Sequence, residues 1–166
     1  EEVLKKANKI VIIDHHRRSA DYIENATLTF QEVYASSAAE LVTELLQYAE
    51  VNVELKKIEA EALYAGIMMD TKSFTFKTGV RTFEAAAYLR KCGVDIIRVK
   101  KWFQSDLESF NKIADIVKKA EIVNDSIAIA LCEDKKSKDI SLLCAKAADE
   151  LLTISDVTAS FVLGDT

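Results

Sequence analysis

The sequence predicts an α/β fold in which a parallel sheet is flanked by helices. The β-branched run Ile10–Ile13 stops at once at polar residues, which is typical of a buried strand with a functional end. Later in the chain, strands predicted over Ile127–Cys132 and Val157–Leu163 enclose an amphipathic helix over Asp139–Leu152. A strand, a helix and a second strand in this order form a unit whose strands lie parallel.

Five helices with an apolar face are predicted between the first strand and this unit. Ser37 and Glu40 have the spacing of a capping box that opens the first helix, and Thr82 is predicted to cap the third. Gly93 supplies the stop of that third helix. A short strand over Phe30–Tyr34 precedes the first helix. The later helices are predicted over Leu55–Met69, Phe83–Cys92, Val94–Phe103 and Ser105–Ala120.

Composition limits the class of protein. Of the 166 residues, 49% are hydrophobic and 30% are charged, which is typical of a globular domain in water. No apolar run approaches the roughly 20 residues that a membrane span needs. A net charge of −5 disfavours a general nucleic-acid surface. Three cysteines without a CxxC pair argue against a disulfide framework and for a reducing compartment.

Polar residues at the end of the first strand are the first candidates for a functional site. The only two histidines, His15 and His16, follow Asp14 there and precede Arg17. Imidazole and carboxylate suit Mn, Fe or Zn, and ligands gather beyond the carboxyl ends of strands in open α/β sheets. The pattern indicates a metal or phosphate site, with a strand end that simply faces water as the alternative. Because alternate strand residues point to opposite faces, these neighbours cannot all reach one ion.

Asp70 is the second candidate, at the C-terminal end of the helix predicted over Leu55–Met69. A carboxylate there faces the negative end of the helix dipole, at a cost of some tenths of a kcal/mol up to about 1 kcal/mol. A metal ion beside Asp70 would offset this cost. The alternative is a turn residue followed by Thr71.

Four segments resemble the DHH/DHHA1 phosphoesterase family. Val11–His16 contains the Asp-His-His motif that names the family, and Tyr34–Leu41 resembles its Ser-Ser-Thr-Ala-Glu segment. Ala65–Thr71 resembles the helix that ends in the metal-binding Asp-Thr pair. Thr78–Ala86 is similar to the following segment of the GdpP/YybT-type cyclic-di-AMP phosphodiesterases. The order of these motifs, rather than Asp-His-His alone, makes the resemblance specific.

The resemblance implies a domain organisation for nearly the whole chain. Residues 1–104 would be the C-terminal part of a DHH catalytic domain, 105–121 a connector helix, and 122–166 the N-terminal part of a DHHA1 substrate-binding domain. The implied fold is therefore a partial DHH domain, a parallel sheet flanked by helices, joined by a helix to the start of an α/β DHHA1 domain. Because an unpaired sheet edge is a liability in water, we expect the sheet to continue beyond Thr166.

The resemblance also implies roles for single residues. His15 and Asp70 would bind the same metal ion. Asp14 would support the site from behind the ligands, and His16 would contact the substrate phosphate during catalysis. The further candidates are Arg81 for catalysis, Arg17 for substrate binding, and Ser36 and Ser37 for supporting contacts. For the two serines, helix capping is an equal alternative.

The reaction implied by the resemblance is phosphodiester hydrolysis assisted by two Mn²⁺ ions. The family carries a His-x-x-x-Asp-x-Asp segment before Asp-His-His and a Gly-Gly-Gly-His loop further on, and this sequence contains neither. His15 and Asp70 would therefore hold at most one Mn²⁺, and weakly. We expect the chain by itself to be inactive and to bind Mn²⁺ weakly or not at all.

The function favoured by the resemblance is hydrolysis of cyclic-di-AMP or its linear product. An oligoribonuclease or phosphoadenosine-phosphate phosphatase of the DHH–DHHA1 type is the alternative within the same chemistry. A non-catalytic nucleotide-binding or dimerisation module is the alternative of another class. The expected partner is a small nucleotide, with no extended nucleic acid and no membrane contact in this segment. We also expect a homodimer and a cytoplasmic location. If the chain is of the GdpP type, it would be the cytoplasmic part of a membrane-anchored parent.

Overall fold

The computed structural model of the chain describes residues 2–20, 22–49, 53–134 and 139–165. The chain divides into two compact units, residues 1–103 and 104–166. The predicted α/β fold, with parallel strands and packed helices, is confirmed. Among the described helices, none combines the length and the apolar character that crossing a membrane requires.

The first unit contains a two-stranded parallel sheet. Strands β1 (Val11–Asp14) and β2 (Leu28–Gln31) pair in parallel from one end to the other. The strand predicted over Phe30–Tyr34 therefore begins and ends earlier, because pairing stops where the Glu32 N–H bonds to the carbonyl of Asp14, the last residue of β1. The helices described in this unit are α1 (Glu2–Lys6), α2 (Ala38–Gln47), α3 (Lys57–Asp70), α4 (Val80–Lys91) and α5 (Ile96–Trp102).

Helices α2, α3 and α4 pack around the core of the first unit. The apolar positions of α3 recur at three- and four-residue spacing, which places them on one buried face. Gly66 of α3 lies so close to α2 that an added Cβ would be 2.9 Å from the Cβ of Ala39. This contact lies near the start of α2 and near the end of α3. The buried core cluster is Ala60, Tyr64, Ile67, Met68, Ala85, Leu89, Val94 and Val99.

The start of α2 confirms one capping prediction. The Ser37 side chain is the N-cap and accepts a hydrogen bond from the Glu40 N–H at 3.0 Å. The Glu40 carboxylate does not return to the Ser37 N–H as a capping box would require. It accepts hydrogen bonds from the Ser36 hydroxyl at 2.5 Å and from the Ser36 N–H at 3.3 Å. These bonds satisfy a carboxylate that is fully buried.

The predicted start of α4 is wrong. The helix begins at Val80 with Gly79 as its N-cap, whereas Thr82 was expected to be the cap. Thr82 lies three residues into the helix, where its buried hydroxyl accepts a hydrogen bond from the Gly79 N–H at 3.0 Å. Thr82 thus performs the backward half of a capping box, a role that glutamate or glutamine usually takes. The predicted stop at Gly93 is confirmed, since Gly93 has a φ of +95° just after α4.

The described elements of the second unit are α6 (Leu107–Lys118), β3 (Glu121–Val123), β4 (Ile127–Cys132), α7 (Ile140–Leu151) and β5 (Ala159–Gly164). The three strands form one sheet in the order β3, β4, β5. Strands β4 and β5 pair in parallel around the intervening helix α7, as predicted, and β3 joins β4 antiparallel. Helix α6, which was predicted as a connector, packs in this unit against α7 and β4.

Strand β3 was not predicted. It has only three residues, all exposed, so it lacks the burial pattern that marks a strand. The turn that follows it carried the missed signal. Asn124 and Asp125 both have a positive φ, 49° and 59°, as in the tight turns that join two antiparallel strands.

Candidate metal and phosphate site

The ends of β1 and α3 bring two candidate metal ligands together. His15 directly follows β1, and Asp70 is the last residue of α3. His15 Nε2 lies 3.4 Å from Asp70 Oδ2. The His15 side chain is 14% exposed and that of Asp70 is 39% exposed. The imidazole is thus mostly enclosed, while the carboxylate remains open to solvent.

This pair fits part of a metal centre. Two atoms that each bind one ion at about 2.0–2.2 Å lie about 3 to 3.4 Å apart, which is the separation observed here. Imidazole nitrogen and carboxylate oxygen are also ligands that Mn, Fe and Zn share. Across residues 2–20, 22–49, 53–134 and 139–165, however, no three His, Cys, Asp or Glu side chains are grouped to hold a metal ion. His15 and Asp70 could therefore supply two ligands of one ion.

The Asp14 side chain is hydrogen-bonded to both the ring and the backbone of His16. Asp14 Oδ1 lies 2.8 Å from His16 Nδ1 and accepts a hydrogen bond from the His16 N–H at 3.1 Å. The hydrogen bond from the His16 side chain, together with that from its N–H, lowers the pKa of Asp14. The resemblance implied support behind the metal ligands. The rings of His15 and His16 are neighbours, with centroids 4.2 Å apart, and Asp14 is bonded to the second of them. The supporting role of Asp14 stays a prediction.

The hydrogen bond to Asp14 fixes the chemistry of the His16 ring. A carboxylate at Nδ1 keeps a proton on that nitrogen and leaves Nε2 as the free position. His16 is 75% exposed, so Nε2 is accessible to a ligand. Gln31 of β2 holds the segment from the other side, since its Nε2 donates to the His16 carbonyl at 2.7 Å. Sequence reasoning missed Gln31, and a lone glutamine at a strand end carries no signal that would single it out.

Arg17 lines a cavity of about 360 Å³ beside this histidine. The Arg18 guanidinium stacks over the Tyr22 ring in the same wall, 3.9 Å from the ring centroid. The volume lies in the lower part of the range of small-ligand pockets. Polar lining residues include Asp14, His16, Arg17, Arg18, Ser19 and Gln31.

Arg81 is held by a partner that the sequence did not reveal. Its Nε and Nη2 each donate to one carboxylate oxygen of Glu44 at 2.7 Å, which is a bidentate pair between α4 and α2. The hydrogen bonds to Glu44 raise the pKa of Arg81 above its ordinary value, and the charges of Glu40 and Glu32 act in the same direction. Ser36 and Ser37 are likewise engaged with Glu40 at the start of α2. The structure thus brings Asp14, His15, His16 and Asp70 together in one group, because the two histidine rings are 4.2 Å apart. Arg81 and the two serines have partners of their own.

Comparison with known proteins agrees with the motifs. Residues 1–67 match the family described as DHH family, N-terminal domain. Over these residues the chain is therefore similar to the DHH family. The chain is 48% identical over 163 residues to the cyclic-di-AMP phosphodiesterase GdpP of Geobacillus thermodenitrificans, and 46% identical over 164 residues to that of Bacillus subtilis. The resemblance inferred from the order of the motifs is therefore confirmed.

These relatives are much longer than this chain. The match covers 98% of the chain but 25% of each phosphodiesterase, so the chain spans about a quarter of their length. An exopolyphosphatase-related protein from Bacteroides fragilis superposes with a TM-score of 0.81 over 95% of this chain and 48% of that structure. At 19% identity, this likeness supports the fold alone.

Proposed function

We propose that this chain is part of a metal-dependent phosphodiesterase that hydrolyses cyclic-di-AMP or its linear product. The observation that carries the proposal is the 3.4 Å contact between His15 Nε2 and Asp70 Oδ2. It joins two motifs of the DHH family in a chain whose relatives are named for this reaction. The reaction class is metal-assisted hydrolysis of a phosphodiester.

The metal in this proposal is Mn²⁺. His15 Nε2 and Asp70 Oδ2 would hold one ion, and the second ion of a two-metal centre would need ligands from outside this chain. When bound, a divalent ion neutralises charge on the phosphate and lowers the pKa of water. Two protein ligands leave most coordination positions to water, so we expect this chain to bind Mn²⁺ weakly.

The other residues of the site would handle the phosphate and the proton. Asp14 holds the His16 ring through Nδ1. When the ring carries a proton on both nitrogens, its Nε2–H would donate a hydrogen bond to the phosphate or give its proton to the leaving oxygen, while Nδ1–H stays on Asp14. Arg17 would contact the phosphate from the wall of the cavity. Arg81 would act in catalysis only where it exchanges Glu44 for the substrate.

The partner in this proposal is a small nucleotide. The three cysteines are free, which agrees with a reducing compartment and with a location in the cytoplasm. Homodimerisation remains a prediction. Sedimentation of the purified chain at several concentrations tests it, and a single monomeric species throughout would contradict it.

The proposal is tested by hydrolysis of cyclic-di-AMP with added Mn²⁺. We expect turnover by the longer protein that contains this chain and none by the chain alone. His15→Ala and Asp70→Asn should each lower turnover of the longer protein at least about 100-fold, because ligand loss exceeds the 10- to 100-fold effect of residues that only support ligands. Asp106→Asn is the matched control, since asparagine also serves as an N-cap and Asp106 caps α6 outside the site.

Other outcomes would replace the proposal. Full turnover in His15→Ala would exclude this residue from the metal centre. Faster hydrolysis of short RNA or phosphoadenosine phosphate than of cyclic-di-AMP would favour the oligoribonuclease or phosphatase alternative. Nucleotide binding by the longer protein without any Mn²⁺-dependent turnover would indicate a non-catalytic module.

A further inference from the structure

The end of α3, directly after Asp70, adopts a conformation that its residues disfavour. Lys72, Ser73 and Phe74 have φ angles of 46°, 59° and 67°, in the left-handed region. A non-glycine residue pays roughly 1–2 kcal/mol to adopt this conformation. Three such residues in succession, none of them glycine or asparagine, are therefore a costly way to end a helix. Strain of this size persists only where the surrounding structure enforces it.

The hydrogen bonds of this segment form a Schellman motif without glycine. The Ser73 N–H bonds to the Met68 carbonyl at 2.8 Å, and the Lys72 N–H bonds to the Met69 carbonyl at 3.3 Å. The Thr71 N–H bonds to the Ile67 carbonyl at 3.1 Å. Three of the last four carbonyls of α3 are thus satisfied by the residues that follow Asp70. The backbone of Asp70 is fixed on both sides, by the helix before it and by the turn after it.

Two contacts hold the turn in this conformation. The buried Thr71 hydroxyl donates to the Ile67 carbonyl at 2.6 Å and accepts from the Phe74 N–H at 3.0 Å. The Phe74 ring packs between Tyr64 and Phe83, with ring centroids 5.5 and 5.8 Å away. Both contacts anchor the turn to the core of the first unit, so the strain is offset by burial and aromatic packing.

We infer that the left-handed turn 72–74 is a positioning element that holds Asp70 within reach of His15. The turn stops α3 at Asp70, where the carboxylate meets the imidazole at 3.4 Å. If the turn relaxed, the carbonyls of the last turn of α3 would lose the N–H groups that bond to them. The backbone of Asp70, which sets the direction of its side chain, would then no longer be fixed. This inference rests on the proposed metal-binding role of His15 and Asp70. It assigns to Lys72, Ser73 and Phe74 a function that none of them performs by contact with a ligand.

The test uses Zn²⁺ alone, which binds nitrogen and oxygen ligands more tightly than Mn²⁺. The chain has two histidines, so the ring ¹⁵N signals of His15 and His16 can be followed separately by NMR during a Zn²⁺ titration. We expect the His15 signals to shift in the wild type. We compare the Zn²⁺ concentration at which half of this shift has occurred. Ser73→Val should raise that concentration about 10-fold, because a β-branched residue resists the left-handed region. Ser73→Asn should leave it within twofold, since asparagine tolerates that region.

Lys77→Val is the matched control. Lys77 also has a positive φ, 50°, but it lies beyond the turn that caps α3. We expect Lys77→Val and Ser73→Val to lower the melting temperature similarly, and only Ser73→Val to weaken Zn²⁺ binding at His15. A purely structural role would affect the melting temperature of both variants and the titration of neither.

The outcomes separate this inference from the proposed function. No Zn²⁺-dependent shift at His15 in the wild type would contradict the metal-binding role itself. A shift in the wild type that is unchanged in Ser73→Val would overturn the positioning role alone. If Ser73→Val does not fold, Phe74→Leu replaces it, because leucine keeps the burial but removes the aromatic contacts. Phe74→Leu should then weaken Zn²⁺ binding several-fold, and an unchanged titration would overturn the inference.

Discussion

Helices α3 and α4 end with the same hydrogen-bond pattern but with different residues. After α4, the Gly93 N–H bonds to the Arg90 carbonyl and the Val94 N–H to the Leu89 carbonyl, with glycine in the left-handed position. Val94 and Leu89 are fully buried members of one core cluster, as expected of the apolar pair that accompanies this motif. After α3, Lys72 occupies the glycine position and exposed Ser73 replaces the apolar residue. The end of α4, which carries no site residue, reaches the left-handed conformation with a glycine and without strain. The end of α3, which carries Asp70, reaches it with non-glycine residues and is strained.

The largest effect on this contrast should come from Thr71→Val. The substitution keeps the shape of a fully buried side chain but removes the hydroxyl that accepts from the Phe74 N–H. A buried N–H left without a partner costs about 1–3 kcal/mol, so we expect the free energy of unfolding to fall by about 2 kcal/mol in urea titrations. Thr75→Val is the control, because Thr75 is exposed and its hydroxyl donates to the Lys72 carbonyl. Equal losses in the two variants would show that the Thr71 hydroxyl does not hold the turn.

Gly93→Ala tests the end of α4, where a glycine holds the left-handed position. An added Cβ at Gly93 meets no atom within 4 Å, so the cost is purely that of a positive φ. We expect a loss of about 1–2 kcal/mol in the free energy of unfolding, with no change in metal binding at His15. A stability within a few tenths of a kcal/mol of the wild type would mean that α4 can end in another conformation.

Lys72→Gly makes the end of α3 resemble the end of α4, because it places a glycine in the left-handed position. Glycine adopts the left-handed position without strain but is more flexible in the unfolded chain, so we expect a net gain of about 0.5–1 kcal/mol in the free energy of unfolding. Thermal and urea unfolding of the single variants and of the Lys72→Gly, Gly93→Ala double variant measure this. The two substitutions lie at the ends of different helices, so we expect the two effects to add. A loss of stability in Lys72→Gly would show that Lys72 makes a contact worth more than its strain.

The smallest expected effect concerns Asp14, at the end of β1, and the change of stability with pH. Hydrogen bonds from His16 hold the pKa of Asp14 below its ordinary value. A carboxylate with a lowered pKa in the folded state adds stability above the unfolded pKa of about 3.9, and this contribution disappears as the pH falls through the folded value. The stability difference between the wild type and Asp14→Asn should therefore be present at pH 7 and shrink below pH 4. Urea unfolding from pH 7 to pH 3 measures it, and a difference that does not change with pH would contradict the assignment.

The sequence was sufficient for the parts of the site that depend on residue type and order. Asp-His-His after a β-branched run and Asp70 after an apolar helix stretch predicted the two ends that meet at 3.4 Å. It was insufficient where a partner is chosen by packing. Nothing in the sequence links Arg81 to Glu44, 37 positions apart. Lys72 gave no sign of a left-handed conformation, because the sequence signals for that region are glycine and asparagine.

The close approach of Gly66 to Ala39 has a consequence for the evolution of this chain and its relatives. With only 2.9 Å between an added Cβ and the Cβ of Ala39, the two positions share the space for one methyl group. A lineage that acquires alanine at 66 must first lose the methyl group at 39, since the reverse order passes through an overpacked intermediate. Homologues should therefore show the pair as glycine with alanine or alanine with glycine, and reconstructed ancestors should pass through glycine at both.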